Sequence, residues 1–118
     1  MSIQKTISPV DGSVCVERPL ATAAQIDAAL SRARSAQRAW RRVPLAQRAA
    51  ILTKFCDVFE ARGTEIAREI SVQMGRPIRY APNEVRGMLE RARTMIQLAP
   101  EGLADVIPGP KAGFNRFV

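Results

Sequence analysis

Histidine is absent from the 118 residues, and there are only two cysteines, Cys15 and Cys56. Without histidine, a zinc site or a histidine-assisted nucleophile would need residues from outside the chain. Two cysteines do not suggest a disulfide framework. Cys56 lies on the apolar side of "ILTKFCDVF", where a buried thiol behaves as a small hydrophobic side chain, and Cys15 lies in an alternating segment. We therefore expect neither cysteine to be a catalytic nucleophile.

Long apolar runs are also missing, since no stretch approaches the roughly 20 residues that a membrane-spanning helix needs. The first residues, "MSIQKTISPV", lack the apolar region and the cleavage pattern of a secretory signal. These two absences favour a cytoplasmic location.

Lysine and aromatic residues are scarce, with three lysines against fifteen arginines, one Trp and one Tyr. The net charge is +7, which could attract nucleic acid or an anionic membrane. The cations, however, recur singly along predicted helices among Glu and Asp, and only "SRARSAQRAWRR" is locally dense. This pattern favours a solvated helix face over a binding stripe. We expect no membrane partner, and the charge pattern disfavours a nucleic-acid partner.

The apolar content is 47% and rich in alanine, which favours closely packed helices. A length of 118 residues indicates one domain or part of a larger one. The predicted fold is mostly α with a short N-terminal β-hairpin, and residues 1–118 are interpreted as a single partial domain.

The hairpin is predicted at residues 6–19, "TISPVDGSVCVERP". Ile7, Val10, Val14 and Val16 favour strands, while Asp11 and Gly12 tolerate the backbone conformations of a tight turn. An isolated hairpin is only marginally stable in water. It therefore needs something to pack against.

Four helices are predicted after the hairpin, at residues 22–42, 44–62, 64–74 and 78–99. Thr22 and Gln25 form a capping-box pattern at the first start, and Pro44 suits the start of the second helix. Gly63 is expected to end the second helix in a left-handed conformation. Thr64 is expected to cap the third helix, and Gly75 to end it. Residues 106–118 are predicted to be a loop that leads into an extended segment, "FNRFV".

Apolar residues recur at steps of three and four along each helix, so that each presents one apolar face. In the second helix they are Leu45, Ala49, Leu52, Phe55, Cys56 and Phe59. In the fourth they are Val85, Met88, Leu89, Ala92, Met95, Ile96 and Ala99.

Taken in order, these segments resemble the N-terminal region of the aldehyde dehydrogenase superfamily. "ISPVDGSV" looks like the family's opening Asn-Pro-x-Thr-Gly-(Glu/Lys)-Val hairpin. "ATAAQIDAALSRARSAQRAWRRVPLAQRAAIL" is similar to its first helix and to its Pro-led second helix, which has an Arg one turn in. "QMGRP" resembles the Glu-(Thr/Met)-Gly-Lys-Pro elbow, with Gln73 and Arg76 as departures, and "EVRGMLERARTMIQLAPEGLAD" resembles the helix after it. The resemblance covers residues 6–118.

The resemblance implies a partial piece of the α/β aldehyde dehydrogenase fold, roughly its first quarter. The parent reaction would be the NAD- or NADP-dependent oxidation of an aldehyde to a carboxylate through a cysteine thiohemiacetal. The family's nucleophilic Cys, general-base Glu, Gly-x-Thr-x-x-Gly cofactor turn and oxyanion-binding Asn have no counterpart in these residues. We predict no catalytic, cofactor-binding or metal-binding residue in the chain. Its expected partners are the remainder of an aldehyde dehydrogenase or further copies in a homo-oligomer.

Several residues have the side-chain type of a missing group but not its sequence context. Asn115 in "GFNRFV" lacks the family's Pro-Trp lead-in, so the oxyanion role is not carried over to it. "GPKAG" has the spacing of a phosphate-binding loop, but Pro110 and the missing strand-to-helix context argue against that role. We expect five glutamates to be solvated helix positions: Glu60, Glu65, Glu69, Glu84 and Glu90.

Two other functions are compatible with the residues. The chain could be a stand-alone helical interaction module that binds another protein with its apolar faces, since exposed apolar patches mark such sites. It could also be a basic nucleic-acid binder that uses the Arg-rich first helix, although it has no aromatic platform or recognisable motif for that role.

We predict that the purified chain does not oxidise aldehydes with NAD or NADP, because it cannot build both a protected thiolate and a nicotinamide site. The measurement is formation of the reduced nicotinamide over a panel of aldehydes. Turnover that persists through successive purification steps would refute this prediction.

Overall fold

A two-stranded antiparallel hairpin precedes four helices in the computed structural model, which describes residues 2–115 of the chain. The strands are β1 (Ile3–Ile7) and β2 (Val14–Pro19). The helices are α1 (Ala23–Trp40), α2 (Leu45–Ala61), α3 (Gly63–Met74) and α4 (Ala81–Gly102). No helix within these residues has both the length and the apolar character that spanning a membrane would require.

The hairpin begins three residues earlier than the predicted residue 6, because Ile3 pairs with Pro19. The register is irregular between Thr6 and Ile7. Gly12 has the positive φ, +75°, that the turn chemistry predicted. The turn also keeps the buried Ser8 hydrogen-bonded, since its amide donates to the Ser13 carbonyl at 2.8 Å.

Helix α1 has the predicted capping box. The Gln25 amide donates to the Thr22 hydroxyl at 3.3 Å, and the Thr22 amide donates to the Gln25 side-chain oxygen at 2.9 Å. The helix ends at Trp40, and none of its residues is buried. Its apolar stripe is therefore left exposed across the part of the chain that the structure describes.

The junction of α2 and α3 corrects two predictions. Gly63 does not close α2 in a left-handed conformation, and Thr64 does not cap α3; instead, α2 ends at Ala61 and Gly63 is the first residue of α3. Val85 of α4 packs beside this glycine, with its Cγ1 3.4 Å from the point where a Cβ on residue 63 would lie. That distance is ordinary van der Waals contact, so neither a positive φ nor a close approach requires glycine here.

The elbow between α3 and α4 has the predicted left-handed Gly75, at φ +75°. The chain then turns at Pro77, whose carbonyl accepts hydrogen bonds from the Tyr80 and Ala81 amides at 2.8 and 3.1 Å. Helix α4 consequently begins at Ala81 and not at residue 78.

The end of α4 also differs from the prediction, because the helix runs past Pro100 to Gly102. The Leu103 amide donates to the Ala99 carbonyl at 3.0 Å, so the last turn closes around Pro100. A proline there removes its own amide hydrogen bond but does not break the turn.

The core is small and lies where the first half of α4 meets α2 and α3. Its buried apolar members are Cys56, Ala67, Ala81, Val85 and Leu89. Partly buried side chains surround them: Phe59, Ile66, Ile70, Met88, Ala92 and Ile96.

The molecule is elongated, with extents of 69 × 39 × 23 Å. Its radius of gyration is 21.0 Å, whereas a compact domain of this length would have about 13 Å. Its accessible surface is 9875 Å², against roughly 6,300 Å² for a folded monomer of this mass. The four helices thus do not close on one another into a globule.

We predict that Gly75→Ala destabilises the fold by more than about 1 kcal/mol, because alanine is strained at positive φ. Its methyl group would also lie 2.7 Å from Cγ of Pro9, a ring atom that cannot rotate away. Gly87→Ala is the matched control, since a Cβ there meets nothing within 4 Å and alanine is the better helix former by up to about 1 kcal/mol. Urea unfolding followed by circular dichroism should show opposite shifts for the two variants, and equal shifts would contradict the assignment.

Candidate functional site

An apolar groove of about 330 Å³ runs between the first half of α2 and the second half of α4. We call it the α2–α4 groove. It is lined by Trp40, Leu45, Arg48, Ala49, Leu52, Phe55, Cys56, Ala92, Met95, Ile96, Ala99 and Leu103. The spacing of three and four residues along each helix puts these side chains on the two facing sides.

The groove is exposed although its lining is apolar. Leu52, Phe55 and Met95 are 47%, 52% and 63% exposed, while Cys56 at its floor is 1% exposed. The apolar stripe of α2 is thus divided: Cys56 is buried in the core, whereas Leu52 and Phe55 form a groove wall that is in contact with water. Such a patch is typical of a surface that contacts another polypeptide.

Apolar exposure includes the groove lining and continues along the chain after α4. Among the lining residues Trp40 is 41% exposed and Leu103 is 63% exposed, and Val106 and Ile107, which follow α4, are each more than 60% exposed. The groove is therefore part of a wider apolar surface and not an enclosed pocket for a small molecule.

Arg48 is the one charged residue among those that line the groove in the described part of the chain. It lies three residues after Leu45 and four before Leu52, and therefore on the same side of α2. Its Nε is shielded from solvent and has no hydrogen-bond partner among the described residues. The sequence contained a signal for this position, since Arg48 falls on the apolar spacing, but only the packing placed it in a groove.

A second, more polar depression lies between β2 and α3. It is lined by Cys15, Val16, Thr64, Glu65, Arg68, Glu69, Val72, Gln73 and Ile78. Cys15 donates its thiol to the Val72 carbonyl at a sulfur–oxygen distance of 3.6 Å. No described residue beside it offers the imidazole that would activate a thiol, since the chain has no histidine.

The two cysteines lie in different surroundings, one buried in the core and one at the depression beside α3. Within residues 2–115, no group of three potential metal ligands is found.

The described residues contain no glycine-rich turn between a strand and a helix, the element that cradles dinucleotide phosphates in many proteins. The connection from β2 to α1 runs through Leu20, Ala21 and Thr22 and has no glycine. The "GPKAG" segment follows α4 instead, with Lys111 and Phe114 joined in a short β-bridge. Asn115 is exposed beside this turn, and the last three residues of "FNRFV" lie outside the described part of the chain.

The glutamates that the sequence assigned to solvated helix faces are all exposed. Three of them pair with arginines: Glu60 with Arg93 at 2.6 Å, Glu65 with Arg62 at 2.7 Å, and Glu84 with Arg76 at 2.9 Å. Hydrogen bonds from Arg93 and Arg62 lower the pKa of Glu60 and of Glu65. A lowered pKa keeps these carboxylates ionised, which suits ion pairs between helices or within one.

Comparison with known proteins gives one consistent family. Residues 2–118 match the sequence model of the aldehyde dehydrogenase family. An N-succinylglutamate 5-semialdehyde dehydrogenase from Chromobacterium violaceum is 37% identical over 98 residues, which cover 83% of this chain and 19% of that protein. A malonate-semialdehyde dehydrogenase from Geobacillus thermodenitrificans is 28% identical over 114 residues, which cover 93% of this chain and 24% of that protein.

The fold is similar to solved structures as well. The NAD-dependent benzaldehyde dehydrogenase of Corynebacterium glutamicum superposes with a TM-score of 0.85 at 26% identity. The match covers 95% of this chain and 24% of that enzyme. The chain therefore spans about a quarter of the length of the proteins it matches.

We predict that Arg93→Met raises the pKa of Glu60 toward its ordinary value, because Arg93 supplies the hydrogen bond and the positive charge that lower it. The stabilisation from this pair is present above the ordinary glutamate pKa and is lost as the pH falls through the lowered pKa. An NMR titration of the Glu60 carboxyl carbon measures the shift. Arg91→Met is the control on the same helix, and identical Glu60 titrations in the two variants would contradict the assignment.

Proposed function

Because the chain belongs to the aldehyde dehydrogenase family, we propose that it is the helical N-terminal part of an NAD- or NADP-dependent aldehyde dehydrogenase. Within that enzyme its role is structural. Its helices cover one side of the remaining polypeptide, which contributes the nucleophile, the base and the cofactor site. The reaction would be oxidation of an aldehyde to a carboxylate.

The exposed α2–α4 groove is the observation that carries this proposal. Burying one Leu or Phe side chain contributes roughly 1.5–3 kcal/mol. The groove leaves Leu52 and Phe55 about half exposed. A surface of this kind gains free energy when a second polypeptide covers it, and the matched relatives are about four times longer than this chain.

The small core supports the same role. Helix α1 has no buried residue, so its conformation depends on its cap and its intrinsic propensity unless another surface contacts it. A helix that packs on the rest of an enzyme explains both its apolar stripe and its exposure. The cytoplasmic location and the homo-oligomeric state expected from the sequence stay predictions that belong to this proposal.

Co-expression tests the proposal directly. The partner is the Chromobacterium violaceum relative without the segment that matches this chain, and the tagged 118-residue chain is used for capture. We expect the two polypeptides to purify together. Leu52→Asp should reduce capture by at least about tenfold, because it places a charge in the groove and removes apolar burial.

Ala50→Asp is the matched control. It introduces the same side chain into the same helix at an exposed position on the opposite face from the groove, and should leave capture unchanged. The proposal fails if the unaltered chain captures no partner, or if Leu52→Asp and Ala50→Asp behave alike.

A further inference from the structure

Arg48 is a cation in an apolar groove, and no described residue that lines the groove carries an opposite charge. The residue is partly buried, and its Nε already lacks both solvent and a hydrogen-bond partner among the described residues. A buried donor without an acceptor is unfavourable for folding and for docking. Every other described side chain that lines the groove is uncharged.

Covering the groove increases the free-energy cost of keeping the unpaired Arg48 guanidinium there. A polypeptide seated on Leu52 and Phe55 would also remove water from the rest of the Arg48 guanidinium. A charge taken out of water is costly unless an opposite charge is placed beside it.

No carboxylate of the described residues forms a salt bridge with Arg48. Among residues 2–115, no Asp or Glu lines the groove. The acidic residues that α2 places toward α4, Asp57 and Glu60, both lie near Arg93, with Nη2 of Arg93 at 3.7 Å and 2.6 Å from their carboxylate oxygens. The opposite charge therefore has to come from the polypeptide that covers the groove.

We propose that the segment docking in the α2–α4 groove is an apolar segment of the aldehyde dehydrogenase remainder that carries one Asp or Glu, and that its carboxylate pairs with Arg48. This inference rests on the proposed function and specifies the chemistry of the contact. The planar guanidinium can donate two parallel hydrogen bonds to a carboxylate, which fixes the register of the docked segment as well as its charge.

A second copy of this chain is a poorer occupant. In a two-fold contact the same patch meets itself, so each groove would bring an Arg48 and no carboxylate to the other. The net charge of +7 on each copy adds repulsion. The charge distribution thus favours a partner with a carboxylate at this point.

The substitution Arg48→Met changes the affinity of the chain for its partner in opposite directions according to whether a carboxylate pairs with Arg48. If a partner carboxylate pairs with Arg48, the substitution leaves that carboxylate buried without its cation, and binding weakens. If no carboxylate is present, methionine is better suited than a guanidinium to an apolar groove, and binding strengthens or stays equal.

The experiment is a competition in co-expressing cells. Unaltered and Arg48→Met chains with different tags are produced together with a limiting amount of the Chromobacterium violaceum remainder, and the ratio of the two chains in the complex is measured. We expect the unaltered chain in at least tenfold excess, and the same excess after the tags are exchanged. Lys54→Met removes a cation from the opposite face of α2 and should compete equally with the unaltered chain.

A substitution scan of the remainder separates charge pairing from a general structural effect. Each Asp or Glu is changed to Asn or Gln, and one such change should abolish the advantage of the unaltered chain over Arg48→Met. Circular dichroism of the purified chains checks that Arg48→Met retains the helical content.

Four results would overturn the inference. Equal or preferential capture of Arg48→Met refutes the pairing while leaving the proposed function intact, as does a scan in which no acidic residue removes the advantage. Sedimentation of the unaltered chain as a dimer that Leu52→Asp dissociates assigns the groove to a second copy and refutes the inference alone. Failure of the unaltered chain to capture the remainder refutes the proposed function and the inference together.

Discussion

The packing of α4 against α2 and α3 is the contact on which the rest of the structure depends. Its buried residues are few, and Val85 and Leu89 supply the largest apolar side chains among them. The fully buried residues of α4 all lie in its first half, whereas farther along the helix Ala92 and Ile96 are only partly buried and Met95 is exposed. The side of α4 that faces α2 is therefore core at one end and open groove at the other.

The elbow at Gly75 sets how the hairpin joins this arrangement. Gly75 closes α3 in the left-handed region, and the Pro9 ring of the hairpin turn occupies the space beside it where a side chain would otherwise lie. The hairpin turn therefore contacts α3 at a position where a Cβ would clash with Pro9. This contact with the helices supports a two-stranded sheet that would be only marginally stable by itself.

The family comparison and the exposed apolar surface both indicate a partial piece of a larger fold. The hairpin and the helices are a partial piece of that fold, as the superposition on a longer enzyme shows. A self-sufficient domain of this size would bury about two-thirds of the surface of its unfolded chain. Here apolar side chains of α1, α2 and α4 stay in contact with water, so these helices leave apolar surface exposed that a self-sufficient domain would bury.

The sequence by itself determined the local backbone chemistry: the capping box at Thr22, the left-handed Gly75 and the helical spacing of the apolar residues are all in the structure. These features depend on hydrogen bonds and sterics within a few residues, which a short segment specifies completely. The motif order also predicted the family. Only the tertiary structure decided that Gly63 begins α3 beside Val85, that Cys56 is core while Leu52 and Phe55 are groove walls, and that Arg48 lies unpaired among apolar neighbours within the described residues. Those outcomes depend on which helix faces meet, and periodicity along one helix cannot specify the position of another.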